Sequence, residues 1–382
     1  MRALDKHLHI VSFNVPFPPD YGGVIDVFYK IKALHDAGVK VHLHTFHYGR
    51  EQSPELEKIC NSVRYYPRAK FFQAIYSSVP YIVGSRQSDD LLSNLIEDEH
   101  PVLFEGLHTS IYLNHPALKD RFKIVRMHNI EWDYYNSLGK AERNFFRKFY
   151  LYSESKKLKE FEDILRYANL ILSISPNDTE YLQKRFGNVN YTPAFHPFSS
   201  VQSKAGKGGF AIYHGNLSVP ENNQAAFYLL HKVFDDIALP LKIAGKEPLV
   251  SLRKEAEKKE ARFELIPNPY DEKMQEMIRE AQVNVLPTFQ PTGIKLKLLN
   301  ALFNGRFCVV NSQMVRNTGL EPLCIIADSA EEMKDAILQL ADKPFTAEMI
   351  QKRHALLLEK FSNAENARQL ITQVFNTPQV SG

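Results

Sequence analysis

"HLHIVSFNVPFPPDYGGVIDVFYKIKALHDAGVKVHLHTF", His7–Phe46, decides the fold. It opens on a β-rich run, HLHIVSF, and closes on another, VKVHLHTF. Between them the spacing predicts a helix over about Gly23–Ala37, with Val24, Val27, Phe28, Ile31 and Leu34 on one face. Gly38 ends that helix, since a glycine takes the left-handed conformation that closes a last turn. Strand, helix and strand in this order make a parallel unit covered by its helix. The proline-rich PFPP before the Gly22-Gly23 pair implies a long, shaped loop in place of a tight strand–helix turn.

The same alternation runs along most of the chain. PVLFEG, KIVRMHN and NLILSIS read as strands in the first half, each followed by a helical pattern. Ser175 and Pro176 fit a helix cap and first turn. Residues 191–209 carry Pro, Ser, Gly and Lys without periodicity, and read as a linker. Strand candidates then resume: FAIYHG, LKIAG, RFELIP, VNVLP, RFCVVN and LCIIAD. The expectation is an α/β protein of two doubly wound domains, residues 1–195 and 206–360. No strand follows the last helical stretch, so residues 361–377 are expected to return to the first domain.

Composition narrows the classes. The 382 residues are 44% hydrophobic and 24% charged, ordinary for a globular chain, and the net charge of +3 implies no nucleic-acid-scale basic surface. The three cysteines are scattered without a CxxC or Cys/His cluster, so no metal centre is expected. The N-terminus enters a strand at once, without a signal-peptide pattern, and no apolar stretch approaches spanning length. A cytoplasmic protein is expected, with the inner face of a membrane as an alternative location.

In parallel sheets of this kind ligands bind beyond the carboxyl ends of the strands. Those ends supply Gly22 and Gly23, then Glu105 and His108, then His128, Asn129 and Glu131 in the first half. In the second half they supply Asn216, Lys246, Asn268 and the segment Thr292–Gly305, TGIKLKLLNALFNG. Each has a plainer reading: a flexible turn for the glycines, core packing for the histidines, a solvated loop charge for Lys246. The last segment has an ordinary apolar stripe of Ile294, Leu298, Leu299, Leu302 and Phe303. The stripe leaves Thr292 and Gly293 at the helix start and Lys297 one turn in unexplained. Unpaired helix N–H groups beside a cation suit an anion. Lys297 and Asn300 lie three apart and share a face.

These motifs, in this order, resemble the retaining nucleotide-sugar glycosyltransferases of the GT-B fold, in their large bacterial family of group 1 or family 4 type. PFPPDYGGVIDVFYKIKALHDAGVKVHL resembles that family's opening loop, helix and second strand; RMHNIEWDYY its HNxE-type segment; YHGNLSVPENN, LKIAGKEP and TGIKLKLLNALFNGRFCVV follow in its order. The resemblance implies two Rossmann-like domains facing each other across a cleft, with the glycine pair near the donor phosphates. It also implies transfer of a sugar from a UDP- or GDP-sugar to an acceptor hydroxyl with retention, without cofactor or metal, in glycan or surface polysaccharide assembly. His108, His128 and Lys297 are then the candidate catalytic groups. Gly22, Gly23, Asn216, Lys246, Asn268, Thr292, Gly293, Ile294 and Asn300 fall on the donor side, and Glu105, Asn129 and Glu131 on the acceptor side. The family usually has two glutamates eight positions apart where this chain has Thr292 and Asn300. Asn300 is left to meet the ribose, and Lys297 the diphosphate. The loop HGNLSVPENN lacks the family's cation, so Lys246 and Lys297, with Lys295 as a substitute, carry that role. The missing glutamates keep open a non-catalytic sugar-nucleotide-binding subunit of a glycan-assembly complex, and a sugar-nucleotide epimerase is the other alternative. A nicotinamide dehydrogenase is disfavoured because no GxGxxG follows the first strand.

Two basic, aromatic stretches bear on partners. Residues 140–159 hold seven Lys/Arg against two Glu, a local +5, with Phe145, Phe146, Phe149, Tyr150 and Tyr152 interleaved. Residues 64–86 add Arg64, Arg68, Lys70 and Arg86 without an acid. The expectation is a helix with an aromatic core face and a solvated basic face. The alternative is contact with anionic lipid and a lipid-linked acceptor.

Overall fold

The structure, a computed structural model, describes residues 5–69, 78–142, 144–258, 262–289 and 296–376. The chain forms two units. One takes the residues up to Pro197 and those from Phe361 onward; the other takes Phe198–Pro291 and Lys295–Lys360.

The first unit holds a seven-stranded sheet in the order β3-β2-β1-β4-β5-β6-β7. The strands are β1 His7–Ser12, β2 Lys40–His47, β3 Ser62–Pro67, β4 Val102–Glu105, β5 Lys123–Met127, β6 Leu170–Ser173 and β7 Val189–Tyr191, with every pairing parallel. Alternate residues feed two cores. Leu8 and Ile10 of β1 face one, and Val11 the other, so both faces are covered. The helix Gly22–Asp36 lies on the first face, and the C-terminal helix Asn363–Phe375 packs on it through Ala367, Leu370, Ile371 and Val374. Sequence patterning passed over β3 and β7. Both lie at sheet edges and bury little, so neither shows a strong apolar alternation.

The second unit has six parallel strands in the order β10-β9-β8-β11-β12-β13. They are β8 Ala211–His214, β9 Leu241–Gly245, β10 Phe263–Pro267, β11 Val283–Leu286, β12 Phe307–Val310 and β13 Ile325–Ile326. In both units strand order reverses beside the first strand, between β1 and β4 and between β8 and β11. Crevices outside the carboxyl ends at such reversals are where doubly wound sheets take ligands.

Beneath the reversal in the first unit lies a set of fully buried charges. Arg126 of β5 forks onto Asp26 of the Gly22–Asp36 helix, Nη2–Oδ1 2.9 Å and Nε–Oδ2 3.2 Å. Lys30, one helical turn on, reaches Asp26 at 2.9 Å and Glu105 at 2.8 Å. His128 Nε2 meets Glu105 Oε2 at 2.9 Å. Burial pushes the Asp26 carboxyl up, but Arg126 and Lys30 outweigh it and hold it well below the usual range. Arg126 also donates to the carbonyls of Thr192 and Pro193, and Phe195 N–H donates to Asp26. The patternless stretch expected to be a linker is therefore fixed to the first unit at its start. Asn363 donates to the His196 carbonyl at 2.6 Å, tying in the C-terminal helix.

A second polar system crosses the outer strands. His7 and His9 on β1 and His42 and His44 on β2 share one face, since His9 pairs with His42 in register. Tyr66 OH, His44, His9 and Asp98 form one line of hydrogen bonds at 2.8, 2.8 and 3.0 Å. Ser62, His42 and His7 form another, at 2.9 and 2.9 Å. A neutral imidazole has one donor and one acceptor, and the first line is satisfied if each donates toward Asp98. A second proton on His44 would remove the acceptor to which Tyr66 OH donates in that arrangement. Arg64, Arg121, Lys40, Asp5 and His100 surround the set. Burial lowers the affinity of all four histidines for a proton, His9 to about 4 and His44 well below the usual value.

The helices Glu131–Ala141 and Phe145–Phe161 pack on each other as a hairpin. The aromatic core face expected for the second helix is not found: Phe145, Phe146 and Phe149 are exposed, and the buried positions are Glu154, Ser155 and Leu158 farther along.

Two outcomes are expected. Lys30→Met leaves Glu105 to His128 alone and Asp26 to Arg126 alone in a buried site, and should cost about 3–5 kcal/mol of stability in urea denaturation. The histidines, neutral in the folded chain, gain protons more readily when unfolded. Stability should therefore be full above pH ~6.5, the unfolded histidine value, and fall as pH drops toward about 4, the folded value of His9. That histidine alone removes on the order of 3 kcal/mol across the window. An unfolding midpoint constant from pH 7 to 4.5 would contradict neutral histidines in these lines.

Candidate functional site

In the first unit the predicted residues gather where β1, β4 and β5 end. Phe13 follows β1, and its ring lies on Gly23, where a Cβ would come within 2.7 Å of Phe13 Cζ. The glycine is thus explained by this close approach. The same ring stands 5.3 Å from His108 and edge-on to His128 at 5.6 Å. His108 sits in the turn Leu107–Tyr112 after β4. Gly106 there has φ +70, and its missing Cβ leaves room for His108 Nδ1, 2.9 Å from that position. Glu131 begins the helix after β5, with Oε1 3.9 Å from His108 Nδ1.

Among the described residues, His108 Nδ1, His128 Nδ1 and Glu131 Oε1 are buried without a hydrogen-bond partner. Such atoms are costly unless something else meets them. Burial, then the charge of Arg86, holds His108 neutral, although 23% of its side chain is still exposed. Burial raises the Glu131 carboxyl to about 7 against a hydrogen bond from Asn129 and the charge of Arg86. A neutral imidazole and a carboxyl poised near neutrality, each with an unused polar atom, suit hydroxyl groups.

Glu105 takes a different role. It is fully buried and spent on Lys30 and His128, so it anchors the site from below without reaching an acceptor. Asp26, Glu105 and His128 do bring ligand atoms within 4.8 Å of one another. Their two carboxylates are already matched by Lys30 and Arg126, and a dication there would add charge to a balanced set. Phe13 and Arg86 were missed as parts of this site. Arg86, read from the sequence as part of a basic surface, is buried behind Phe13 and donates to the carbonyls of Phe13 (2.8 Å) and Ile82 (2.5 Å).

In the second unit the loops after β8, β9 and β10 are laced together. Asn216 Oδ1 accepts from Ser218 N and Oγ at 3.0 and 2.7 Å. Leu217 N–H donates to the Lys246 carbonyl at 2.8 Å. Gly245 admits no side chain, since its Cβ would stand 1.9 Å from the Gly215 carbonyl. Asn268, at φ 48, donates to the Gly245 carbonyl and accepts from Glu247 N–H, itself at φ 49, both at 2.8 Å. Lys246 is exposed at this rim.

Lys297, in the helix Leu296–Asn304, reaches into the same cluster. Its Nζ donates to Asn222 Oδ1 at 2.6 Å and stands 5.6 Å from the buried Tyr213 ring. Asn222 Nδ2 in turn donates to the Asn216 carbonyl at 2.7 Å. Burial, then the Lys297 charge, drops His214 to about 3. Asn300 is half-buried and accepts from Asn304 at 2.9 Å. Leu298, Leu299, Leu302 and Phe303 form the buried face, as their spacing predicts. Asn216, Lys246, Asn268 and Lys297 are thus brought to one strand-end cluster. Thr292, Gly293, Ile294 and Lys295 lie outside the described residues.

Comparison with known proteins fits this geometry. Residues 210–343, nearly all of the second unit's sheet and helices, match the family model described as glycosyl transferases group 1. A Klebsiella pneumoniae protein, described as an uncharacterized 44.6 kDa protein in the cps region, is 27% identical over 331 residues, 81% of this chain and 84% of its own. Among solved structures, a variant of S. aureus TarM in complex with fondaparinux, alpha-GlcNAc-glycerol and UDP aligns over 97% of this chain and 100% of its own, with a TM-score of 0.62 and 12% identity. WaaG, a glycosyltransferase involved in lipopolysaccharide biosynthesis, aligns over 96% and 99%, with a TM-score of 0.63 and 10% identity. Two parallel α/β sheets in two units, matched end to end by such neighbours, give the chain the GT-B fold, and residues 210–343 of its second unit match the group 1 glycosyltransferase model.

Proposed function

We propose that the chain transfers a sugar from a nucleoside-diphosphate sugar to an acceptor hydroxyl, with retention of configuration and without a metal, in the assembly of a surface polysaccharide. The observation that carries this reading is Lys297, a cation held by Asn222 and Tyr213 among the strand-end loops of the group 1 domain. The TarM variant that shares the fold holds UDP, and the Klebsiella relative comes from a cps region; both support the donor and the setting.

The chemical demand in such a transfer is charge growing on the leaving diphosphate. Lys297 and Lys246 meet it by fixed electrostatic stabilisation. Asn300, three residues on from Lys297, is left for the ribose hydroxyls. In the first unit His108, Glu131 and His128 offer unused polar atoms to hydroxyls of the sugar or acceptor. Because attack and departure share one face of the sugar, no pair of glycosidase-type carboxylates is required.

Donor binding is tested by thermal shift against UDP, GDP and their sugars without divalent metal. Saturation at about a hundred times the dissociation constant should stabilise the chain by about 2.7 kcal/mol, and no response to any of them would sink the donor site. Turnover separates the two residues on the helix. Lys297→Ala should lower kcat by roughly a hundredfold. Asn300→Ala should mainly weaken donor binding, by about 1–2 kcal/mol. A Lys297→Ala enzyme with full turnover and only a raised donor KM would remove that lysine from the leaving group. Binding without transfer or donor hydrolysis would favour a non-catalytic subunit.

A further inference from the structure

The tip of the helical hairpin in the first unit carries a feature that sugar transfer does not use. Phe145, Phe146 and Phe149 are 75%, 82% and 70% exposed, and the first two stack edge to face at 5.9 Å. Three neighbouring phenylalanines left in water are costly and mark a surface that something covers. They are not the loose end of a poorly packed helix. Asn144 caps it by accepting from Arg147 N–H at 3.0 Å. Farther along, Ser155 donates to the Trp132 carbonyl and Glu154 accepts from Tyr81 N–H, both at 2.6 Å. Gly139 lets Tyr152 close the hairpin. The base is fixed, and the three phenylalanines of the first turns are exposed.

Charge identifies the occupant. Phe145 and Phe149 lie one turn apart, with Phe146 beside them; Arg147 and Lys148 flank that face. No acid occurs from Asn144 to Ser153. Cations in a first helical turn oppose the helix dipole, so local stability does not explain Arg147 and Lys148. A second copy of the chain is a poor partner, because a two-fold contact would set these cations against themselves. An anionic lipid surface suits both parts: rings enter the headgroup boundary while the cationic heads stay among phosphates. Among the described residues no helix is long and apolar enough to cross a membrane, so this contact lies on the surface.

We propose that the hairpin tip formed by Phe145, Phe146, Phe149, Arg147 and Lys148 docks the chain onto an anionic lipid bilayer. The inference rests on the tip alone and stands whether or not the sugar-transfer reading does.

The full chain is mixed with vesicles of phosphatidylcholine, with and without phosphatidylglycerol, and sedimented at low and high salt. Binding to the anionic vesicles, weakened by salt, is expected. Phe145→Ser, Phe146→Ser and Phe149→Ser combined should reduce partitioning by more than tenfold while leaving the thermal midpoint unchanged, because the rings pack on no core. Arg147→Gln with Lys148→Gln should reduce it about fivefold for each cation removed. Equal binding by the triple variant, or equal binding of the chain to zwitterionic vesicles, would overturn the proposal. So would a concentration-dependent dimer in sedimentation velocity that the triple variant abolishes, combined with no vesicle binding, since a second copy would then be the occupant.

Discussion

Four full charges, Asp26, Lys30, Glu105 and Arg126, sit together with no exposure to water at all. Such a set is expensive to desolvate, and apolar residues of equal volume would often serve stability as well. Its effect is positional. One helix, two central strands and the chain leaving the sheet are pinned to a common point through Asp26, Glu105, Arg126 and the carbonyls of Thr192 and Pro193. Glu105 ends β4, and Gly106 and His108 follow at once. Where Glu105 is fixed, so is the turn that presents His108. The same carboxylate holds His128 Nε2, which orients that ring against Phe13. The buried charges therefore set the geometry of the strand-end site from below.

The sheets were legible because eleven short, largely apolar runs stand out, the pattern that parallel strands buried on both faces must show and that the edge strands β10 and β13 happen to share. Helix boundaries followed from Gly38 and Ser175, whose local chemistry decides where a helix stops or starts. The edge strands β3 and β7 lacked that pattern. Lys30 and Arg126 show a different limit: in the sequence they look like ordinary surface cations, and only the fold brings them to Asp26 and Glu105, with Arg126 a hundred positions from Asp26. Glu105 was read as acceptor-side for the same reason. Arg86 looked superficial because nothing local reveals that it donates to the Phe13 carbonyl. In the tip of the hairpin the error ran the other way. Aromatic residues at helical spacing imply a core face, and whether a core is there to receive them is a tertiary fact.

The two units share a topology and differ in chemistry. At the first strand-end cluster, burial drives ionisable groups toward their neutral forms: His108 loses its proton and Glu131 tends to keep one. At the second, amides and glycines build the loops, and the lysines lie at the rim or against Tyr213. Neutral donors and acceptors discriminate among hydroxyls, whereas a cation beside backbone N–H groups attracts an anion.

Under the proposed reading, Lys297 takes the place of a cation that the loop after β8 lacks. The loop Gly215–Asn223 contains no cation, yet Asn222 in it accepts a hydrogen bond from a lysine that comes from a helix 75 positions away. The amide does two things at once. Its oxygen holds the ammonium group and its nitrogen ties back to the Asn216 carbonyl, so the position of the charge is coupled to the fold of the loop. A lysine anchored this way has lost much of its side-chain freedom before any ligand arrives, and a pre-ordered charge costs less to use in a transition state than a mobile one. Under the proposed reading, what the helix cannot supply from Asn300 is the charged acceptor that a carboxylate would offer a ribose. Any compensation must come from geometry, and the laced loops after β8, β9 and β10 provide a rigid frame on which neutral hydrogen bonds can be held at full strength.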